Sequence, residues 1–178
     1  MNQELTQEYL TTVLNYDKNT GIFTWKRRDR SVFKSDRAMN AWNRKCLNKR
    51  AGNINTINYR TIRLLGSNHY EHRLVWLYVY GYLPKIEIDH IDCNRSNNSL
   101  SNLRTATSGE NSQNLRTAPA HNKYTGLLGV SYNKLAGRFI AQIKLKGKNN
   151  HLGYFSNPQD AHEAYLTAKR QTHPFGTL

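Results

Sequence analysis

A chain of 178 residues suits one domain or two small ones, at about 100–200 residues per domain. Its hydrophobic content of 38% argues for small modules joined by polar segments rather than one large core. With 26 Lys+Arg against 12 Asp+Glu the formal net charge is +14, which points to a polyanionic partner, most simply nucleic acid. Cys46 and Cys93 lie far apart, which excludes a disulfide framework and a tetra-cysteine zinc site. No run of about 18 apolar residues is present to span a membrane. The opening MNQELTQEYL is acidic and polar, unlike a signal peptide, so a reduced, cytoplasmic setting is expected.

In residues 2–16, Leu5, Tyr9, Leu10 and Val13 have helix-like spacing, and Asp17 to Gly21 supply a turn before a strand at Ile22-Phe23-Thr24-Trp25. Residues 26–50 hold ten Lys/Arg against two Asp without sustained periodicity. They read as a basic loop or partly disordered insertion that orders against DNA phosphates. Tyr59 to Leu64 reads as a strand that carries Arg60 on an open face. Tyr70 to Tyr80 reads as a strand end running into a helix stopped by Gly81 and Pro84, with Leu74, Val75, Leu77 and Tyr78 on its buried side.

The stretch from Ile86 to Leu115 carries the chemistry. Ile86-Glu87-Ile88 reads as a strand that delivers Asp89 and His90, and a polar Asn/Ser/Arg loop follows. Leu103 to Ala106 then returns as a short strand, and Thr107 or Ser108 caps a helix bearing Glu110, Asn111 and Asn114. This order brings a carboxylate, an imidazole and an amide oxygen towards one point. An imidazole with an ordinary pKa of about 6.5 can take a proton from water near neutral pH. Asp89 and Asn111 offer hard oxygen ligands that suit one Mg²⁺ or Mn²⁺ ion.

This stretch resembles the HNH endonuclease motif, the ββα-metal fold, in the form seen in phage homing endonucleases. His90 matches the family's first His, Asn102 its central Asn twelve residues on, and Asn111, nine further, its last position. The resemblance implies that His90 is the general base and that Asp89 and Asn111 are on the metal. It gives Asn102 the task of holding the loop and orienting His90. The phrase LNYDKNTGIFTWKRR resembles the opening of many phage HNH proteins, and His72-Arg73 recurs upstream of the motif in related ones, which brings Arg73 towards the phosphate.

After a polar segment at 116–124, read as a linker, Gly129 to Asn133, Arg138 to Lys144 and His151 to Phe155 alternate in the strand period. Asn157 and Pro158 open a helix with Ala161, Ala164, Tyr165 and Ala168 along one stripe. This module resembles the AP2/ERF DNA-binding domain. Phe139, Ala141 and Ile143 are expected to face the helix, leaving Arg138, Ile140, Gln142 and Lys144 on the other face. The resemblance puts that free face in the DNA major groove and His151 in the place of a DNA-contacting Trp. Ser131 and Asn133 replace arginines typical of plant members, so base preference does not carry over.

The expected fold is α+β: a small strand and helix region, a ββα-metal core at about 70–115 within 1–115, a linker at 116–124, and a three-stranded antiparallel sheet packed on one helix at 125–178. The expected function is site-specific, metal-dependent hydrolysis of double-stranded DNA. A monomer with one active site would nick one strand, a double-strand break would need a dimer or a second event, and the sequence does not decide between them. The alternative is a non-catalytic DNA-binding regulator on a degenerate HNH scaffold.

Overall fold

The computed structural model describes residues 4–120, 122 and 124–177. It is a mixed α+β chain with small antiparallel sheets and, among the described residues, five α-helices, none long and apolar enough to cross a membrane. The chain divides into two compact units, Met1–Thr105 and Ala106–Leu178.

In the first unit α1 (Gln7–Val13) is capped by the Thr6 side chain, which accepts from the Tyr9 amide, and it leads directly into β1 (Leu14–Asp17). The predicted helix over 2–16 therefore ends early, because Leu14 adopts extended backbone and pairs with Trp25. β1 and β2 (Ile22–Trp25) form a hairpin. β3 (Asn53–Ile54), β4 (Arg60–Leu64) and β5 (Ser67–Tyr70) form an antiparallel sheet, and α3 (Glu71–Tyr80) follows at once. Gly81 stops α3 in the left-handed region at φ 79°, as its position in the sequence predicts. β6 (Glu87–His90) pairs with β7 (Leu103–Ala106). Leu10, Leu14, Phe23, Ile62, Leu64, Leu74, Val75, Leu77, Ile88 and Leu103 pack into one core, so the hairpin, sheet, helix and β6–β7 pair share a single apolar centre.

Residues 26–50 are not a loose insertion. They contain a 3₁₀ turn at Arg30–Val32 and α2 (Asp36–Cys46), capped by the Ser35 hydroxyl on the Ala38 amide. Behind α2 the chain runs along β2: Trp25 donates to the Lys49 carbonyl, Asn48 to that of Trp25, and Ala51 to that of Phe23.

In the second unit α4 (Ser108–Gln113) starts with a reciprocal capping box between Thr107 and Glu110. β8 (Val130–Asn133), β9 (Arg138–Leu145) and β10 (Lys148–Phe155) form an antiparallel sheet in the order β10–β9–β8, and α5 (Pro158–Thr172) packs on it. Asn157 caps α5 and Pro158 opens it, as predicted. Ala141 and Ile143 are buried with Phe139 beside them, and Arg138, Gln142 and Lys144 are exposed. β10 begins three residues earlier than the predicted strand and bulges between His151 and Gly153. Asn122 ties the preceding segment to the sheet by donating to the carbonyls of Leu127 and Val130.

Gly129 shows how tightly α5 sits. Its φ is +76°, and a Cβ there would stand 2.0 Å from the Tyr165 ring. Gly129→Ala is expected to cost about 2–5 kcal/mol through left-handed strain and overpacking together. Gly137→Ala, at φ +62° with open space around it, costs only about 1 kcal/mol. Urea unfolding of the two variants checks this, and equal midpoints would contradict it.

Candidate active site

β6 carries Asp89 and His90, and neighbouring residues on a strand leave on opposite faces. The structure follows that rule and gives the two side chains different partners. Asp89 Oδ2 receives Nε and Nη2 of Arg104, from the paired strand β7, at 3.0 and 2.8 Å. His90 Nε2 lies 3.0 Å from Asn98 Oδ1. Both are buried, at 6% and 4% exposure.

Behind His90 runs a polar chain. Asn98 Nδ2 donates to Glu71 Oε2 at 2.6 Å, and Glu71 in turn faces the Arg60 guanidinium at 3.7 Å. Because the Asn98 amide nitrogen is committed to a carboxylate, its oxygen faces His90, and Nε2 of His90 carries the proton. The basic lone pair of the neutral ring is therefore on Nδ1. Burial, the largest influence, holds His90 below its ordinary pKa, against the Asn98 hydrogen bond, which favours the charged form.

The N-terminal hairpin holds Asn98 in place. Tyr16 donates its hydroxyl to the Asn98 carbonyl at 2.8 Å, and Leu100 donates its amide to the Lys18 carbonyl. Gly21, at φ +71°, lets the hairpin turn close against the loop, since a Cβ would fall 2.2 Å from the Asn98 and Ser99 backbone. The opening hairpin thus buttresses the loop facing His90.

Asn102 braces the same loop from the other side. Its Oδ1 accepts from the Asp92 amide at 3.0 Å, while its Nδ2 donates to Asp92 Oδ1 at 2.9 Å and to the Asn97 carbonyl at 2.8 Å. Its backbone carbonyl takes the Ile91 amide. Burial opposes charge on Asp92, but the donors Asn97, Asn94 and Asn102 prevail and hold its carboxyl below the usual range. The contact from Asn102 is thus to the loop that follows His90.

Aromatic rings wall the imidazole. His72 lies 5.2 Å from His90 and Tyr59 6.0 Å, and the Arg95 guanidinium sits 4.9 Å over Tyr59. Burial, with His90 and Arg73 adding to it, pushes His72 down to about 3, so it is neutral. Burial pushes Glu71 up to about 7, against the Asn98 hydrogen bond and the charges of Arg60 and Arg50.

These two groups have opposite pH dependences. His72 contributes stability that is full above 6.5 and lost as pH falls towards about 3. Glu71 contributes stability that is full below 4.5 and lost as pH rises through about 7. Each slope is about 1.4 kcal/mol per pH unit, so between pH 4.5 and 6.5 they offset. Glu71→Gln removes one of them, and the variant is expected to lose about 2–3 kcal/mol of stability as pH falls from 6.5 to 4.5 while the wild type changes far less. Parallel pH dependences in urea unfolding would contradict the opposition.

Several expectations need correction. Arg60 is not on an open face: its side chain is only 12% exposed and it faces Glu71 and the Gly52 carbonyl. Its strand face is turned inward because Glu71 starts α3 directly behind it. His72 is packed in the interior, and Arg73 is half-buried with Nη2 3.4 Å from the Pro84 carbonyl. Asp89 does not stand bare beside His90, since Arg104 holds it. Among the described residues no group of three or more His, Cys, Asp or Glu could hold a metal ion. Asp89, His90 and Asn102 all lie in the first unit, each with different hydrogen-bond partners, whereas Asn111, half-buried on α4, belongs to the second. On that unit Arg138, Gln142, Lys144 and His151 are all exposed, with His151 paired opposite Gln142. The sequence carries Asn98 only as part of the Asn97-Asn98 doublet of the motif loop, with no role assigned to it, and nothing local marks Glu71.

Residues 69–113, from β5 to the end of α4, match the sequence model of the HNH endonuclease family. An HNH endonuclease domain therefore occupies this stretch. The chain is also similar to Protein 3.8 of Escherichia phage T7, with 37% identity over 81 residues, 45% of this chain and 65% of that protein. The chain thus spans less than two thirds of the length of the curated relative it matches. No solved structure matches.

Proposed function

We propose that the chain is a site-specific DNA endonuclease of the homing type, which hydrolyses phosphodiester bonds and, as a monomer with one active site, nicks one strand. The observation that carries this reading is the buried His90 imidazole, its Nε2 held 3.0 Å from Asn98 Oδ1 and Asn98 in turn bonded to Glu71, inside the HNH stretch. Nδ1 of His90 takes a proton from water, the water oxygen attacks phosphorus, and the bond to the 3′ oxygen breaks as that oxygen leaves and is protonated from solvent. Asn102 keeps the loop after His90 in shape, and Arg95 beside Tyr59 offers positive charge to the phosphate.

By the motif, Asp89 and Asn111 would be the residues that hold Mg²⁺ or Mn²⁺, since their oxygens are hard donors; in this structure Arg104 occupies Asp89 Oδ2. Such an ion, when bound, supplies charge neutralisation at the phosphate and the leaving oxygen. The AP2-like reading of the second unit is supported by its sheet, which packs α5 on one face and exposes Arg138, Gln142 and Lys144 on the other. His151 joins them from β10, so that face suits duplex DNA.

The test is incubation of the DNA that encodes this protein with Mg²⁺ or with EDTA. Discrete nicks in Mg²⁺ alone are expected. DNA bound but uncut under all divalent ions would overturn the enzyme reading and leave a DNA-binding regulator.

A further inference from the structure

α2 is an expensive element for a core to maintain, since only Asn43 among its eleven residues is buried. Two kinds of anchor hold it. Asn43 clamps the backbone of Arg28 from both sides, its Oδ1 accepting from the Arg28 amide at 2.9 Å and its Nδ2 donating to the Arg28 carbonyl at 2.8 Å. The Arg28 guanidinium lies over both Trp25 and Trp42, 5.0 and 4.9 Å from the ring centres, and the two rings meet edge to face at 5.5 Å. Met39, Trp42, Asn43 and Cys46 recur at three- and four-residue spacing and form the inward stripe.

The opposite stripe is Arg37, Asn40, Ala41 and Arg44, with Lys45 beside it, and every one of these is exposed. The segment's two acidic residues are spent locally, Asp29 capping the 3₁₀ turn and Asp36 paired with Arg30 at 3.1 Å. What remains outward is a rigid basic face, with Arg37 and Arg44 roughly 10 Å apart along the axis at 1.5 Å per residue. The short side chains of Asn40 and Ala41 between them let the helix approach closely. We infer that the outer face of α2 is a second DNA-contact surface, separate from the sheet of the second unit, and that Arg37, Arg44 and Lys45 bind backbone phosphates of duplex DNA.

This inference rests on the proposed function only in taking DNA as the partner. Its phosphate contacts carry no sequence information, so they strengthen binding to specific and unrelated duplexes alike.

The experiment measures duplex binding by the full chain without divalent ions, as a function of salt, for wild type, Arg37→Gln, Arg44→Gln and the triple variant with Lys45→Gln. Each lost contact is expected to reduce the slope of log K against log salt by about one, and the triple variant to bind ~10- to 100-fold more weakly at 0.1 M salt, equally on any duplex. Unfolding midpoints unchanged from wild type show that the helix persists. A triple variant with wild-type affinity and slope overturns the inference while leaving the endonuclease reading intact. So does preferential competition by structured RNA over duplex DNA. A wild-type chain that binds no duplex at all sinks both.

Discussion

His90→Ala is expected to reduce single-turnover DNA cleavage by ~10²- to 10⁴-fold, the range a positioned general base supplies, while duplex affinity changes by less than about twofold. The imidazole is only 4% exposed, so its loss has little electrostatic reach towards phosphates. The variant leaves Asn98 Oδ1 without its 3.0 Å partner, which costs about 1–3 kcal/mol of stability. That penalty is separable from catalysis by assaying well below the unfolding midpoint. Cleavage at the wild-type rate would remove His90 from the reaction.

Asn98 is expected to matter almost as much, although it touches no substrate. It is a positioning residue: its oxygen fixes the proton on His90 Nε2, and its amide satisfies the buried Glu71 carboxylate at 2.6 Å. Asn98→Ala releases the imidazole tautomer and strands Glu71, so a rate loss of ~10- to 100-fold is expected with about 2–3 kcal/mol of destabilisation. A merely structural role would lower the rate evenly across pH. The positioning role moves the acid limb of the pH–rate profile, downwards in Asn98→Ala, where a hydrogen bond favouring the imidazolium is gone, and upwards in Asn98→Asp, where a carboxylate faces the ring. Unmoved limbs in both variants would reduce Asn98 to a packing residue.

The sequence makes the local parts of this site legible and hides the long-range ones. The β6 strand that ends on Asp89 and His90, the α3 stop at Gly81 and the Asn157-Pro158 opening of α5 depend on residues close in the chain, and each is readable there. α2 escapes because its inward stripe carries Asn43 and Cys46 in apolar positions, so no hydrophobic period announces it. The Glu71–Asn98 bond spans 27 residues and the Tyr16–Asn98 bond 82, and only the folded chain brings such pairs together. The Asp89–Arg104 ion pair forms across β6 and β7, and nothing in the local sequence around Asp89 marks Arg104 as the residue that faces it.

The account turns on a neutral His90 acting as base from a buried position, and the pH dependence of single-turnover cleavage in saturating Mg²⁺ tests it most directly. The wild-type rate should climb through a single ionisation below the ordinary histidine value of 6.5 and then level off, with that limb missing from the residual activity of His90→Ala. A wild-type limb centred at or above 6.5, or a His90→Ala profile that retains the same limb, would contradict it.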